Sequence, residues 1–319
     1  MDRVLVSYRI PNEAYEHQCQ TLQFDMPDEA IMRFSPDDLK KRLEDYDALL
    51  VIGTKVDDDL MAAGKKLRVI GNMGVGYDKI DVQAASRRKI WVVNTPFSVT
   101  QPTAELTIGL MISAARKIAA KDAELRNTLT IVPQPIPRFA VSLYGKTLGI
   151  IGFGRIGRAV AVIAKALGMK IIYNDITPAD DKTEQELGAV YTTRENLLMQ
   201  SDVVSLHCPY FAENYHMMDT EQFALMKKGS FFINAARGKL YREDALIEAL
   251  ESGHLAGAAL DVYEFEPRVN ERLARLDNVV LTPHMGTMCY DARIAMLKEA
   301  IDGIASCLAG EWADNVVNR

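Results

Sequence analysis

Gly152, Gly154 and Gly157 form a GxGxxG directly after the apolar run Leu148-Gly-Ile-Ile151, and Asp175 follows the next such run, Lys170-Ile-Ile-Tyr-Asn174. Each glycine has a mechanical task. One makes the tight turn, one lets a pyrophosphate approach the backbone, and one lets a helix lie close on the strand. A helix starting near Arg155 offers free N–H groups and its dipole to the phosphates. The acid, 18 residues past Gly157, is placed to accept hydrogen bonds from ribose hydroxyls and to repel a 2′-phosphate. Ile176 comes next, so no adjacent arginine neutralises such a phosphate, and NAD is expected over NADP. A plain capping role is the alternative for Asp175.

Three more polar residues follow apolar runs: Arg237 in Asn234-Ala-Ala-Arg-Gly238, Glu266 in Glu264-Phe-Glu-Pro267, and His284 in Thr282-Pro-His284. Their types suit carbonyl reduction. A guanidinium grips a carboxylate and polarises a ketone. An imidazole gives the carbonyl oxygen a proton as hydride arrives. A neighbouring glutamate favours the protonated imidazole and fixes its orientation. Taken singly, each also reads as a surface arginine, a loop acid before proline or a capping histidine.

These residues need strands to present them. Short β-rich runs alternate with helical patterns throughout, the mark of parallel α/β layering. Strands are expected at Val4–Val6, Ala48–Ile52, Leu67–Asn72 and Trp91–Asn94, then at Thr147–Ile151, Lys170–Asn174, Val203–His207, Ser230–Asn234, Gly257–Leu260 and Val279–Thr282. Helices are expected at Pro36–Tyr46 with Ser35 as N-cap, at Thr103–Asp122, and at about Asp291–Leu308. The proline-rich stretch Ile131–Arg138 predicts an extended excursion. Two α/β units result, one before residue 100 and a dinucleotide unit up to about 285. A ligand would lie at the carboxyl ends of the strands.

A net charge of −6 without a basic stripe argues against nucleic acid as a partner. The four cysteines, Cys19, Cys208, Cys289 and Cys307, lack metal-ligand spacing, so reduced thiols in a cytoplasm are expected and no metal. The first residues lack the long apolar core of a signal peptide, and no apolar run reaches membrane-spanning length.

Along essentially its whole length the chain resembles the D-2-hydroxyacid dehydrogenase family. The matching segments are Gly74-Val-Gly-Tyr-Asp-Lys-Ile-Asp81, Thr103-Ala-Glu-Leu106, Gly145 to Gly157, His207-Cys-Pro209, Asn234-Ala-Ala-Arg-Gly238, Ala259-Leu-Asp-Val262 and Pro283-His284. The separations also match, 29 residues from Arg237 to Glu266 and 18 from Glu266 to His284. The resemblance implies two doubly wound parallel-sheet domains, Rossmann-like or flavodoxin-like. A substrate domain (1–100 and 287–319) would carry an inserted NAD domain (101–286), with helices near 103–122 and 287–308 linking them so that closure brings substrate onto the nicotinamide. It further implies NAD as cofactor, a small 2-keto or 2-hydroxy acid as substrate, and a homodimer joined through the cofactor domain.

Residue roles come with the same resemblance. Val75 and Gly76 would offer N–H groups to the substrate carboxylate. Arg237 would bind carboxylate and keto oxygen, with His284 as acid/base and Glu266 as its partner. Asp261 would hold the nicotinamide carboxamide. Thr103, Arg155, Ile156, His207, Cys208, Pro209, Ala235, Ala236 and Gly286 would line the cofactor. Cys208 reads as a buried neighbour of the cofactor rather than a nucleophile, since no base is placed for it.

The chain departs from the family pattern at Tyr210-Phe-Ala-Glu-Asn-Tyr215, where Asn214 stands near the usual adenine-side threonine, and at Arg268-Val-Asn-Glu271. Met288 and Tyr290 are bulkier than common family residues; reaching the pocket, they would favour a small or apolar substrate side chain. Rival readings are an NAD(H)-sensing corepressor-like binding protein, a phosphoglycerate dehydrogenase-type enzyme, and a formate or phosphite dehydrogenase. Glu266 beside His284 speaks against formate.

Overall fold

A computed structural model describes residues 1–131, 133, 135 and 140–319. Most of the excursion expected at Ile131–Arg138 therefore lies outside the described residues. The chain divides into two units, residues 1–99 with 287–319, and residues 100–286.

The first unit is built on β1 (Asp2–Val6), β2 (Leu22–Asp25), β3 (Ala48–Val51), β4 (Val69–Asn72) and β5 (Trp91–Val93), with α1 (Pro36–Arg42), α2 (Asp58–Ala63) and α3 (Val82–Arg87) between them. The strands are all parallel in the order β2-β1-β3-β4-β5. Every residue of β3 and β4 is buried, as in a sheet covered on both faces. α1 starts where the sequence predicts. Ser35 accepts the Asp38 N–H, Asp38 accepts the Ser35 N–H, and Pro36 fills the first turn. It ends sooner than expected, tightening into a 3-10 turn at Leu43–Asp45.

The second unit opens with α4 (Thr100–Arg116) and α5 (Ile118–Thr128), where one helix over 103–122 was expected. The break is set by a contact from further along the chain. Lys117 sits in the left-handed region, and the Ala115 carbonyl accepts the Val141 N–H at 2.9 Å instead of continuing the helical ladder. There follow β6 (Thr147–Ile151), α6 (Arg155–Ala166), β7 (Lys170–Asn174), α7 (Asp181–Leu187), β8 (Ala189–Tyr191), α8 (Arg194–Gln200), β9 (Val203–Leu206), α9 (Thr220–Leu225), β10 (Phe231–Asn234), α10 (Glu243–Glu251), β11 (Gly257–Leu260), α11 (Glu271–Ala274) and β12 (Val279–Leu281). The parallel order is β12-β11-β10-β9-β6-β7-β8. Strand order reverses between β6 and β9, so a crevice opens at their carboxyl ends, where such sheets bind ligands. α6 buries Gly157, Val160, Ala161 and Ala164, one stripe at helical spacing that seats it on the sheet.

α12 (Tyr290–Leu308) belongs to the first unit, where Met296, Leu297, Ala300, Ile301 and Ile304 join the core around Val4, Leu50 and Val69. The edge strands β2 and β8 were not among the expected strands. Each is only three or four residues long and buries only its first residue, too short a pattern to be told from loop.

Candidate active site

β6 runs straight into the glycine turn. Gly152 has φ +94°, and a Cβ there would lie 2.4 Å from the Cys208 nitrogen, so the turns after β6 and β9 can meet only over glycine. A Cβ on Gly157 would lie 2.2 Å from the Gly152 oxygen, which sets how closely α6 approaches β6. The Cβ position of Gly154 faces open space, with nothing within 4 Å, and Gly154 caps α6 without a side-chain bond. Room and donors for a phosphate coincide there. Asp175, just past β7, accepts the Phe153 N–H at 2.5 Å and the Thr177 N–H at 3.4 Å. It thereby ties the glycine turn to the end of the second strand. A cradle that any side chain would fill, with an acid at its rim, fits a dinucleotide.

The cradle's far wall is the His207-Cys208-Pro209 turn. His207 Nε2 lies 2.8 Å from Ser205 Oγ, and burial pushes its imidazole down to about 4, so it is neutral. Burial pushes the Cys208 thiol up to about 11, which leaves it inert; its Sγ lies 3.7 Å from Met217 Sδ.

Asn234 ends β10 and shapes the turn that carries Arg237. Its Nδ2 donates to the Arg237 oxygen and its Oδ1 accepts the Ala236 N–H, both at 2.9 Å. A Cβ on Gly238 would lie 1.9 Å from the Tyr263 oxygen, so this turn is laid directly on the segment leading to Glu266. Glu266 Oε2 lies 3.0 Å from His284 Nδ1, while its Oε1 accepts the Tyr263 N–H at 3.1 Å. Burial pushes the Glu266 carboxyl up, but the His284 contact, the Tyr263 N–H and the Arg237 charge together hold it below the usual carboxylate range. With Nδ1 engaged, His284 keeps Nε2 for a reacting group.

His284 has φ +52°, a strained setting for a residue with a side chain. Asp261, just past β11 and 1% exposed, holds it there. Its Oδ1 accepts Thr282 Oγ1 at 2.6 Å and the Met285 N–H at 2.8 Å, and its Oδ2 accepts the Gly286 N–H at 2.9 Å. One carboxylate thus pins the chain on both sides of the histidine. Burial raises its pKa above the usual range despite these donors. Thr103, buried on α4, stands 3.5 Å from the Cβ position of Gly286.

The other predicted residues are more loosely placed. Arg155 and Pro209 are exposed, Ile156 packs on the core beneath α6, and Ala235 and Ala236 are half-buried in the Asn234 turn. The Asn214 amide is used within its own loop, donating to the Pro209 oxygen at 2.8 Å and accepting the Phe211 N–H at 2.7 Å. In the first unit Met288 and Tyr290 are exposed, and a hydrogen bond to Glu13 raises the Tyr290 phenol. Val75 and Gly76 are half-buried in the loop after β4. Sequence reasoning missed Asn234, Thr282, Asn72 and Asn94; their shared signal is a short polar side chain at or just beyond the end of a predicted strand. Among the described residues no group of three or more His, Cys, Asp or Glu side chains could hold a metal. Nor is any described helix long and apolar enough to cross a membrane.

Hydride chemistry at a nicotinamide calls for a proton donor near the strand ends that bind the dinucleotide, and this arrangement is that of a nicotinamide-dependent oxidoreductase. Residues 108–286 match the family model described as D-isomer specific 2-hydroxyacid dehydrogenase, NAD binding domain, and the chain belongs to that family. The glyoxylate reductase of Thermococcus litoralis is 42% identical over 286 residues, covering 88% of this chain and 86% of that protein. The solved glyoxylate reductase of Paecilomyes thermophila superposes with a TM-score of 0.85 at 33% identity, covering 99% of this chain and 98% of that one. The NADPH-dependent glyoxylate/hydroxypyruvate reductase of Sinorhizobium meliloti, solved with NADP and malonate, gives 0.87 at 30% identity, covering 99% and 96%. The protein is thus an NAD-dependent oxidoreductase of small 2-hydroxy and 2-keto acids.

Proposed function

We propose that this protein interconverts small 2-keto acids and (R)-2-hydroxy acids, with glyoxylate the first substrate to test. The observation that carries the reading is the 3.0 Å contact between His284 Nδ1 and Glu266 Oε2, with Arg237 close enough for its charge to act on the same carboxylate. When bound, NAD supplies the hydride acceptor or donor. His284 delivers its Nε2 proton to the substrate oxygen during reduction and takes it back during oxidation. Glu266 orients the ring and offsets the imidazolium charge. Arg237 grips the substrate carboxylate and polarises the keto oxygen, while the Val75 and Gly76 N–H groups take the carboxylate. Asp175, with Ile176 beside it, favours NAD over NADP.

The protein is also read as a cytoplasmic homodimer. All four cysteines are free, which suits a reducing compartment. α5 in the second unit buries none of its residues, and Ile118, Leu125 and the adjoining Leu129 are exposed. Light scattering should give twice 35.5 kDa; a single 35.5 kDa species rejects the dimer.

The functional test follows NADH absorbance against glyoxylate, hydroxypyruvate, pyruvate, 2-ketoisocaproate and phenylpyruvate. Turnover of at least one is expected, and His284→Ala should lose about 100- to 10,000-fold in kcat with NADH affinity retained. No turnover with NADH bound, or strong activity in His284→Ala, overturns the assignment.

A further inference from the structure

We propose that Asn72 and Asn94 are positioning residues that hold the loop Gly74-Val75-Gly76 as a preformed nest for the substrate carboxylate. The proposal rests on the reading of Val75 and Gly76 as the carboxylate-binding groups.

Asn72 is the last residue of β4, and its Nδ2 donates to both the Gly74 and the Gly76 oxygens at 2.9 Å. Asn94 lies just past the neighbouring β5, and its Nδ2 donates to the Val75 oxygen at 2.8 Å. The Thr95 N–H also donates to the Gly74 oxygen, at 3.2 Å. All three consecutive carbonyls are therefore bound by the ends of two adjacent strands. Among the described residues, neither the Val75 nor the Gly76 N–H has an acceptor.

Peptide planarity turns this into function. In a trans peptide the carbonyl of one residue and the N–H of the next point in opposite directions within one rigid plane. Binding the Gly74 oxygen therefore orients the Val75 N–H, and binding the Val75 oxygen orients the Gly76 N–H. The Val75 N–H is thereby directed away from Asn72 and the Gly76 N–H away from Asn94, with no side-chain charge needed. Successive N–H groups presented this way make an anion-binding concavity.

The pinning groups are themselves held. Asn72 and Asn94 are each 7% exposed. Asn315 Nδ2 donates to the Asn94 oxygen at 2.8 Å, and the Asn94 N–H donates to the Asn315 oxygen at 3.1 Å. Only a neutral amide fits at position 72. An aspartate would set a negative oxygen against two carbonyl oxygens and release both peptide planes.

The test uses oxamate, a carboxylate-bearing analogue of a 2-keto acid, on the protein with NADH. With valine and glycine 15N-labelled, the amide peaks of Val75 and Gly76 should move as oxamate binds; if they stay still, the carboxylate reading fails and the proposal falls with it. Given that movement, Asn72→Asp and Asn94→Ala should raise the oxamate Ki and the glyoxylate KM about 10- to 100-fold, with kcat and NADH affinity within about threefold of wild type. Asn72→Ser, which keeps one donor, should recover part of the loss. A Ki unchanged in both variants while the wild-type peaks move overturns the proposal for the asparagines alone. Should Asn72→Asp not fold, Asn94→Ala and Asn72→Ser decide the matter, and unchanged KM and Ki in both reject the role.

Discussion

Replacing Asp261 by asparagine tests how the structure holds its proposed proton donor. Asn keeps Oδ1 for Thr282 Oγ1 and the Met285 N–H, but sets an NH2 group against the Gly286 N–H. A hydrogen bond to a charged acceptor is worth about 1.5–3 kcal/mol and a neutral one about 0.5–1.5, so the two retained bonds weaken by about 1 kcal/mol each and the third loses about 2. Removing a buried charge returns about 2 kcal/mol, in keeping with burial raising the Asp261 pKa. The net loss is about 2 kcal/mol, or about 30-fold in the population of the held turn. Strain at the His284 backbone, on the order of 1–3 kcal/mol for such a residue, favours escape once the latch weakens. Steady-state kinetics with saturating glyoxylate and NADH should therefore show kcat down by up to about 30-fold, with the NADH Kd from fluorescence titration nearly unchanged. A kcat within about twofold of wild type would refute the latch, and intact kcat with weakened NADH would point to a carboxamide contact instead.

Asp175→Asn keeps one carbonyl oxygen for the Phe153 N–H but loses the charge and the oxygen that accepts the Thr177 N–H, so NADPH affinity should rise relative to NADH affinity by about tenfold; an unchanged ratio of the two removes charge as the basis of selection. Because its contacts hold the Glu266 carboxyl below the usual range, the ionised carboxylate should contribute stability at neutral pH that disappears as pH falls through that depressed value. Melting curves of wild type and Glu266→Gln should accordingly differ near neutrality and converge in acid; parallel melting curves at all pH values contradict the pairing. Thr95 is fully buried and its Oγ1 has no hydrogen-bond partner among the described residues, so Thr95→Val should raise stability by about 1 kcal/mol in denaturant titration, and a loss of that size would mean the hydroxyl is in use.

Much of the molecule was legible before any fold was known, because parallel sheets announce themselves locally. Strands buried on both faces, such as Ala48–Val51 and Phe231–Asn234, are apolar runs that need no partner to be recognised. The glycine spacing and the acid after the next strand are equally local, since turn, cradle and rim lie within 24 residues from Gly152 to Asp175. What escaped depends on neighbours distant in the chain. β2 and β8 are strands because β1 and β7 offer them an edge, and segments of three or four residues are too short to say so themselves. The break at Lys117 depends on Val141 reaching back to the Ala115 carbonyl.

The amino-acid order by itself determined the two parallel α/β sheets, the dinucleotide cradle and the kinds of side chain available at the strand ends. Only the folded chain decided what those side chains do to one another. It set Glu266 against a histidine 18 positions away, closed Asp261 around both flanks of that histidine, and brought Asn72 and Asn94 from separate strands onto one tripeptide. The reason is geometric: apolar periodicity is written along the chain, whereas hydrogen-bond partners are chosen by strand order and by where each strand stops.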